Sequence, residues 1–287
     1  MIRRGRGNRR FPQVHAPDIM QLASLFWFYK DLDVCAERLS SLRRQNPDTP
    51  IYGLFGGRPE DAPAASAALS RWLDDLYIYP KERDALWKWQ HGDQLIAAWH
   101  RDRGHALPWD TVFVTQWDML LLEPLDRLFA SLKPGEALFS GLRPAHEVEA
   151  WWGWLNGADE TKRRDRDAFL SYMDKRYGFR GELLCCLFIV ACLPRRFLDL
   201  YVEAGPPEAG FLEYKMPTMA RQFGIPFCTD HPYRPWWRQE PATRDAPIRA
   251  RLLNAVGDTL PREAVLEELA RPGGLRIIHP YRGSFPL

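Results

Sequence analysis

The feature that most constrains the fold is a strand–helix–strand pattern near the beginning of the chain. Residues 22–29 form an unbroken apolar and aromatic run, LASLFWFY, and residues 50–55 form a shorter one, PIYGLF. Between them, residues 33–44 carry apolar side chains at helical spacing, which predicts an amphipathic helix that ends before Pro47. Continuous apolar runs are typical of strands buried on both faces. This order indicates a parallel βαβ unit and predicts an α/β fold with a mostly parallel central sheet flanked by helices.

The rest of the chain continues this alternation of helices and strands. Further helices are predicted at residues 61–75, 85–101, 147–177, 210–224 (after an opening turn) and 262–270. Further strands are predicted at residues 76–79, 111–115, 137–142, 183–193 and 275–279, and residues 119–129 read as a short strand, a proline and a helical turn. No linker interrupts the pattern. We therefore predict one domain over residues 18–287, preceded by a basic, flexible tail at residues 1–17.

The balance of charge bears on the partners of the protein. The chain has 39 Lys and Arg against 37 Asp and Glu, a net charge of +2. Proteins that bind nucleic acids usually carry a strong basic surplus, so we expect no nucleic-acid partner. The first ten residues are an exception, because they contain five arginines and no acid: Arg3, Arg4, Arg6, Arg9 and Arg10. This segment is interpreted either as a solvated tail or as a weak contact with an anionic membrane surface.

The cysteines and the apolar runs predict a cytoplasmic protein. The five cysteines are odd in number and form no CxxC pair, which predicts reduced, buried thiols rather than disulfides or a zinc site. The most apolar run, residues 183–193, is much shorter than the ~20 residues that a transmembrane helix needs. No apolar stretch follows the N-terminal arginines, so we expect neither a signal peptide nor a transmembrane segment.

The clearest motif in the chain is residues 110–129, DTVFVTQWDMLLLEPLDRLF. An apolar strand ends in the triplet Gln116, Trp117 and Asp118. An apolar run follows, and it ends in the pattern Pro-Leu-x-x-Leu-Phe. The segment resembles the strand–DxD–strand region of GT-A-type, nucleotide-sugar-dependent glycosyltransferases. In this chain an amide, Gln116, stands where the family motif has its first acid.

The resemblance implies a nucleotide-sugar donor, a hydroxyl acceptor such as a glycan, and a GT-A-like fold with a Rossmann-like nucleotide-binding half. Ligands of open α/β sheets bind beyond the carboxyl ends of the strands, where Asp118 is expected to lie. There its carboxylate is a candidate catalytic residue and a candidate ligand of Mn²⁺ or Mg²⁺, which would stabilise the diphosphate leaving group. The loss of one acid at Gln116 leaves the dependence on a divalent cation open. The alternative is that Asp118 simply ends a strand and caps the next turn.

Several other residues are implied at the donor site by the same resemblance. Phe28, Tyr29 and Lys30, at the end of the first strand, are expected near the base and the diphosphate. Asp93, in the helix before the motif, is expected to hold the ribose. Gln116 and Trp117 complete this set of donor-binding residues. The alternatives are a core strand followed by a solvated lysine, and a solvated Asp93.

Two more residues are implied by the resemblance in the second half of the chain. Glu213 matches the acid that faces the acceptor, where a carboxylate would take the proton of the acceptor hydroxyl. His279, in the sequence IIHPY, matches a C-terminal histidine that completes the coordination of the cation. The alternatives are that Glu213 is an ordinary acid in a first helical turn, and that His279 is a surface or core histidine.

The 12 tryptophans are more than a chain of this size usually carries. Trp151 and Trp152, together with Trp236 and Trp237, are predicted to line an acceptor groove, because tryptophan rings stack on sugars. Adjacent tryptophans on a helix cannot all face the core, although a core cluster remains the alternative. Arg234, Arg238 and Lys215 are candidates to neutralise a diphosphate, or are solvated.

Two functions from other classes remain open. A carbohydrate- or nucleotide-binding protein without turnover would explain why the first acid of the motif is missing. A sugar nucleotidyltransferase is less consistent, because that class has a glycine-rich phosphate loop after its first strand and residues 29–32 contain no glycine. A P-loop kinase is excluded, since GxxxxGK[ST] is absent.

Overall fold

The structure is a computed structural model that describes residues 20–256 and 260–285. The arginine-rich segment and the boundary predicted at residue 17 lie outside the described residues. Within the described part, no helix is long and apolar enough to cross a membrane. All five cysteines are free and buried, as predicted.

Strands and helices alternate along the described residues. The strands are β1 (Leu22–Phe28), β2 (Ile51–Phe55), β3 (Asp75–Ile78), β4 (Thr111–Gln116), β5 (Leu120–Leu121), β6 (Leu138–Phe139), β7 (Arg143–Pro144), β8 (Leu184–Cys185), β9 (Ala191–Pro194) and β10 (Ile277–Ile278). The α-helices are α1 (Leu32–Gln45), α2 (Ala62–Leu69), α3 (Ala85–Gln90), α4 (Gly92–Asp102), α5 (Leu125–Leu128), α6 (Glu160–Tyr177), α7 (Arg195–Ala204), α8 (Leu212–Gln222) and α9 (Arg262–Ala270).

The central sheet has six strands in the order β3-β2-β1-β4-β9-β6. Strands β3, β2, β1 and β4 run parallel to one another. Strand β9 runs antiparallel to both β4 and β6. Helices flank the sheet, and the predicted α/β class with a mostly parallel sheet is confirmed. Strand β1 lies at its centre, which explains why nearly every one of its side chains is apolar and buried.

Two predicted elements differ from the structure. Residues 147–159 form turns, and the helix predicted from 147 begins only at Glu160. Gly157 has a φ of +73°, which an α-helix does not allow, and the Asp159 carboxylate caps α6 by accepting hydrogen bonds from the backbone N–H of Thr161 and Lys162.

The strand predicted at 183–193 is divided between β8 and β9. The turn between them is held by Ser140, whose hydroxyl donates to the carbonyl of Leu187 (2.7 Å) and accepts from the N–H of Val190 (3.2 Å). A serine from a distant segment therefore allows an apolar run to reverse inside the core. Helix α7 was not predicted, although its Phe197, Leu198 and Tyr201 repeat at helical spacing.

Candidate active site

The first part of the candidate site lies where β1 and β4 end side by side. Trp27 pairs with Gln116 across the two parallel strands, and the N–H of Trp117 donates to the carbonyl of Trp27 (3.1 Å). The residues that follow both strands therefore lie close together. The Tyr29 ring meets the Trp117 ring edge-on at 5.8 Å, and the Lys30 ammonium lies 5.0 Å from the centre of the Trp117 ring. Tyr29 and Lys30 are exposed here, and Trp117 is buried beneath them.

Asp118 carries a buried carboxylate at this edge of the sheet. Its Oδ1 lies 3.3 Å from Nε2 of His279, and its Oδ2 lies 3.8 Å from Nε of Arg282. The Asp118 carbonyl accepts a hydrogen bond from the N–H of Tyr281 (2.6 Å). Burial raises the pKa of Asp118, but the positive charges of His279 and Arg282 outweigh burial and hold the pKa below its ordinary value. The carboxyl group is therefore ionised at neutral pH.

The geometry of His279 fits a ligand of a divalent cation. Its Nδ1 lies 2.6 Å from the carbonyl oxygen of Asn254, which places a ring proton on Nδ1. Its Nε2 is buried and has no hydrogen-bond partner among the described residues. Facing a carboxylate, this nitrogen needs either a proton or a metal ion. Within the described residues, no group of three or more His, Cys, Asp or Glu side chains is placed to hold a metal ion, and Asp118 and His279 form a pair.

Helix α1 holds the C-terminal segment against Asp118. The buried Arg38 guanidinium donates to the carbonyls of Tyr281 (3.1 Å) and Gly283 (2.7 Å). The carboxylate of Glu37 accepts from the N–H of Phe285 (2.7 Å). These contacts fix the chain on both sides of Arg282 and bring it, together with His279, to the ends of β1 and β4.

Glu213 lies in the first turn of α8 and is buried. Its Oε1 accepts a hydrogen bond from the N–H of Phe188 (2.8 Å). Burial raises the pKa of Glu213 to about 8, against the lowering effect of the Phe188 N–H. A carboxyl group that titrates close to neutral pH suits transfer of a proton to and from a substrate. Glu213 does lie in a first helical turn, as the alternative of an ordinary first-turn acid has it, but its side chain is buried.

A proline inside α8 explains how Glu213 is held. Pro217 has no N–H and leaves the carbonyl of Glu213, four residues earlier, without its helical partner. That carbonyl accepts the N–H of Cys186 instead (2.9 Å). The segment that follows β8 is thereby docked on α8, and its Phe188 N–H reaches the Glu213 side chain.

Gln116 connects the two parts of the site. Its side-chain amide donates to the carbonyl of Phe188 (2.8 Å). The backbone N–H of Phe188 in turn donates to the Glu213 carboxyl group. The position that carries an acid in the family motif thus carries a structural donor here. A carboxylate at Gln116 would repel the Phe188 carbonyl, which gives a local reason for the amide.

The predicted tryptophans line a cavity of about 310 Å³ together with Glu213. Trp152 and Trp151 meet the Trp237 ring edge-on at 5.3 and 5.7 Å. Trp236 lines the same cavity, and Gln239 ties the two segments together by accepting the N–H of Gly153 (2.8 Å). The four tryptophans predicted to bind an acceptor and the predicted proton acceptor therefore come together, although they lie far apart in sequence.

Two predicted donor-binding residues lie elsewhere. Phe28 is fully buried between Phe26 and Phe55, so it belongs to the core and offers no ring face to a base. Asp93 is also fully buried, and its carboxylate lies 2.9 Å from the Lys215 ammonium. Neither is solvated, and neither lies on an open surface. Contact of Asp93 with a ribose would require this ion pair to open.

The Asp93 pair shows what local sequence reasoning missed. Tyr201 donates to the same carboxylate oxygen (2.7 Å), and Lys215 also donates to the carbonyl of Pro207 (3.1 Å). Buried charges are tolerated when they are paired and hydrogen-bonded. The partners come from α4, α7 and α8, and no spacing rule connects them. Arg282 and Asn254 were likewise not singled out, and only their contacts with Asp118 and His279 mark them.

Comparisons with known proteins give structural neighbours only. No protein-family model matches the sequence, and no curated protein matches it either. Among solved structures, the chain is similar to the mannosyltransferase PcManGT from Pyrobaculum calidifontis in complex with GDP-Man and Mn²⁺, at 14% identity and a TM-score of 0.43. The match covers 75% of this chain and 56% of that one, so this chain spans little more than half the length of its neighbour.

Two further solved structures are similar to the chain. The galactosyltransferase LgtC, in complex with donor and acceptor sugar analogs, matches at 12% identity and a TM-score of 0.37, over 71% of this chain and 72% of that one. Glucosyl-3-phosphoglycerate synthase from Mycobacterium tuberculosis matches at 13% identity and a TM-score of 0.33, over 62% and 58%. At these identities the likeness concerns the fold alone.

Proposed function

We propose that this chain is a glycosyltransferase that moves a sugar from a nucleotide-sugar donor to a hydroxyl group of an acceptor. The observation that carries the proposal is the link through Phe188, whose carbonyl accepts from the Gln116 side chain and whose N–H donates to Glu213. This one residue joins the end of β4, next to Asp118, to a buried carboxyl group in a tryptophan-lined cavity. A site for a charged leaving group thus adjoins a site for a sugar and a proton acceptor.

The donor diphosphate is placed at the ends of β1 and β4. Lys30 and Arg282 supply positive charge there, and the exposed Tyr29 ring offers a face for the base. Asp118 and His279 would hold a divalent cation, Mn²⁺ or Mg²⁺, whose remaining ligands would be phosphate oxygens and water. When bound, the cation supplies positive charge that stabilises the departing nucleoside diphosphate.

The acceptor is placed in the tryptophan-lined cavity. Its reacting hydroxyl gives its proton to the Glu213 carboxylate, while its oxygen bonds to the anomeric carbon of the donor. The bond from that carbon to the diphosphate breaks, and its electron pair leaves with the nucleotide. Proton transfer to a positioned carboxylate accelerates such a step by roughly 10²–10⁴-fold.

A non-catalytic binding protein is the second candidate, because Gln116 replaces the first acid of the motif. The raised pKa of Glu213 speaks for turnover, since a protein that only binds sugars has no need of a buried, titrating carboxyl group. A sugar nucleotidyltransferase is a weaker candidate, because the turn that follows β1 bears one lysine and no glycine-rich loop. The five free, buried thiols support a location in a reducing compartment such as the cytoplasm.

The proposal is tested by thermal unfolding and nucleotide release with UDP-, GDP-, CMP- and dTDP-sugars, each with and without Mn²⁺. One donor should raise the melting temperature, because a ligand that binds the folded state stabilises it. The same donor should release its nucleotide, and Glu213→Gln should suppress release without preventing binding. Asp126→Asn, at an exposed acid on α5, is the matched control. Binding without release would leave the non-catalytic candidate, and no effect of any donor would remove both.

A further inference from the structure

A second cavity adjoins the tryptophan-lined cavity. It measures about 660 Å³ and shares four lining residues with the first: Trp151, Trp236, Arg238 and Gln239. None of the residues that surround Asp118 lines it. The two cavities are therefore adjacent, and we call them together the groove: Glu213 lines the first cavity, and Trp151 and Trp236 line both.

The far end of this groove is positively charged. Arg238, Arg244 and Arg251 line the second cavity, and no carboxylate does. None of these arginines forms an ion pair with another described residue. The nearby acids have other positions: Glu240 lies 3.6 Å from Arg143, and Asp245 is exposed outside the lining. Three guanidinium groups that have no ion-paired acid among residues 20–256 and 260–285 make a surface that favours a bound anion.

The arginines are arranged around an aromatic floor. Arg251 lies over the Trp236 ring at 4.8 Å and donates to the carbonyl of Ala246 (2.6 Å), so its side chain is fixed. Arg238 and Arg244 are exposed and have free donors. A saccharide can use the tryptophan ring and the arginines at once: its sugar ring stacks on the tryptophan, and an acidic group accepts hydrogen bonds from the guanidinium groups.

We propose, on the basis of the function proposed above, that the acceptor is an anionic saccharide. Its reacting sugar occupies the cavity beside Glu213, and a neighbouring unit presents a carboxylate or a phosphate to Arg238 and Arg244. A neutral saccharide would use the tryptophans alone and leave the arginines unpaired. The groove therefore selects for the charge of the acceptor at a position removed from the reacting hydroxyl.

The test is a titration of tryptophan fluorescence with two matched pairs of saccharides. Trigalacturonate is compared with its neutral methyl ester, and maltotriose bearing a terminal 6-phosphate is compared with maltotriose. At least one charged member should bind roughly tenfold more tightly than its neutral partner, as expected for two exposed ionic contacts. The pair that shows the difference identifies carboxylate or phosphate as the anion.

The double variant Arg238→Gln/Arg244→Gln should abolish this difference while its melting temperature stays that of the wild type, because both side chains are exposed. Arg196→Gln, at an exposed arginine on α7, should keep the difference. Equal binding of charged and neutral saccharides, or an undiminished preference in the double variant, would overturn the inference. So would competition by UDP, since it would assign the arginines to the donor.

Nucleotide release from the donor alone separates this inference from the function on which it rests. Release without any charge preference among saccharides leaves the transferase standing and removes the anionic acceptor. A charge preference without release from any donor removes the transferase and leaves an anionic-saccharide groove.

Discussion

Asp118 has a buried carboxylate that lies 3.3 Å from Nε2 of His279 and 3.8 Å from Nε of Arg282, and its pKa is held below the ordinary value. Asp118→Asn keeps the size of the side chain and removes its charge. We expect nucleotide release to fall by about 10²-fold or more, because the Asp118 carboxylate would hold the cation that stabilises the departing diphosphate. Steady-state release and thermal unfolding, measured together, check this. Unchanged release would exclude Asp118 from the reaction.

His279 is predicted to act through its unpartnered Nε2. His279→Ala should raise the Mn²⁺ concentration needed for half-maximal activity, because one of two protein ligands is lost. Measuring activity at increasing Mn²⁺ concentrations gives the shift. The same measurement on His231→Ala, which replaces a histidine outside this site, is the control. An unchanged Mn²⁺ requirement would mean that Nε2 of His279 carries a proton for Asp118 rather than a metal ion.

Glu213 should give the enzyme a distinctive dependence on pH. Only its carboxylate accepts a proton, so activity should rise as the pH approaches about 8 and level off above it. Stability should change in the opposite direction. Because the folded pKa lies above the ordinary value, the stability that the protonated group confers is present below that ordinary value and is lost as the pH rises to about 8.

Glu213→Gln should therefore remove both dependences: activity falls about 10²-fold or more at every pH, and the melting temperature declines less between pH 5 and pH 8. Glu203→Gln, at an exposed acid on α7, should retain both dependences of the wild type. A wild-type activity that is flat from pH 6 to pH 9 would contradict the assignment of Glu213 as the proton acceptor.

At the scale of one element, helix α8 owes its function to an irregularity. Pro217→Ala restores an N–H that competes with Cys186 for the carbonyl of Glu213, and the segment that carries Phe188 should loosen. The Phe188 N–H lowers the pKa of Glu213, so a weaker contact should move the rise in activity to higher pH. The pH–rate profile measures this, and Pro261→Ala, before α9, is the control. An unshifted profile would show that the proline does not position Glu213.

At the scale of the whole molecule, α1 places the C-terminal segment at the site. Arg38→Met should destabilise the fold by on the order of 2 kcal/mol, because the carbonyls of Tyr281 and Gly283 lose a buried donor. It should also weaken binding of the nucleotide, since His279 and Arg282 lose their fixed position. Thermal unfolding and nucleotide titration test both effects. Arg44→Met, on the exposed side of the same helix, should change neither.

The predicted fold agrees with the structure where local pattern and tertiary packing favour the same element. Continuous apolar runs are buried as β1, β2 and β4, and the helix predicted at residues 262–270 has the same bounds in the structure. The prediction at residues 147–159 is wrong because Gly157 and the cap at Asp159 outweigh the helical composition around them. The cytoplasmic location and the basic tail stay predictions.

The sequence by itself determined the class of fold and the positions of most polar residues of the site, because alternation of apolar runs and strand-ending polar triplets are local properties of the chain. The contacts and the burial of those residues follow from the tertiary structure. Phe28 lies in the core, Asp93 is paired with Lys215, and the backbone of Phe188 joins Gln116 to Glu213. Such contacts depend on which elements pack together, and no spacing along the chain encodes them.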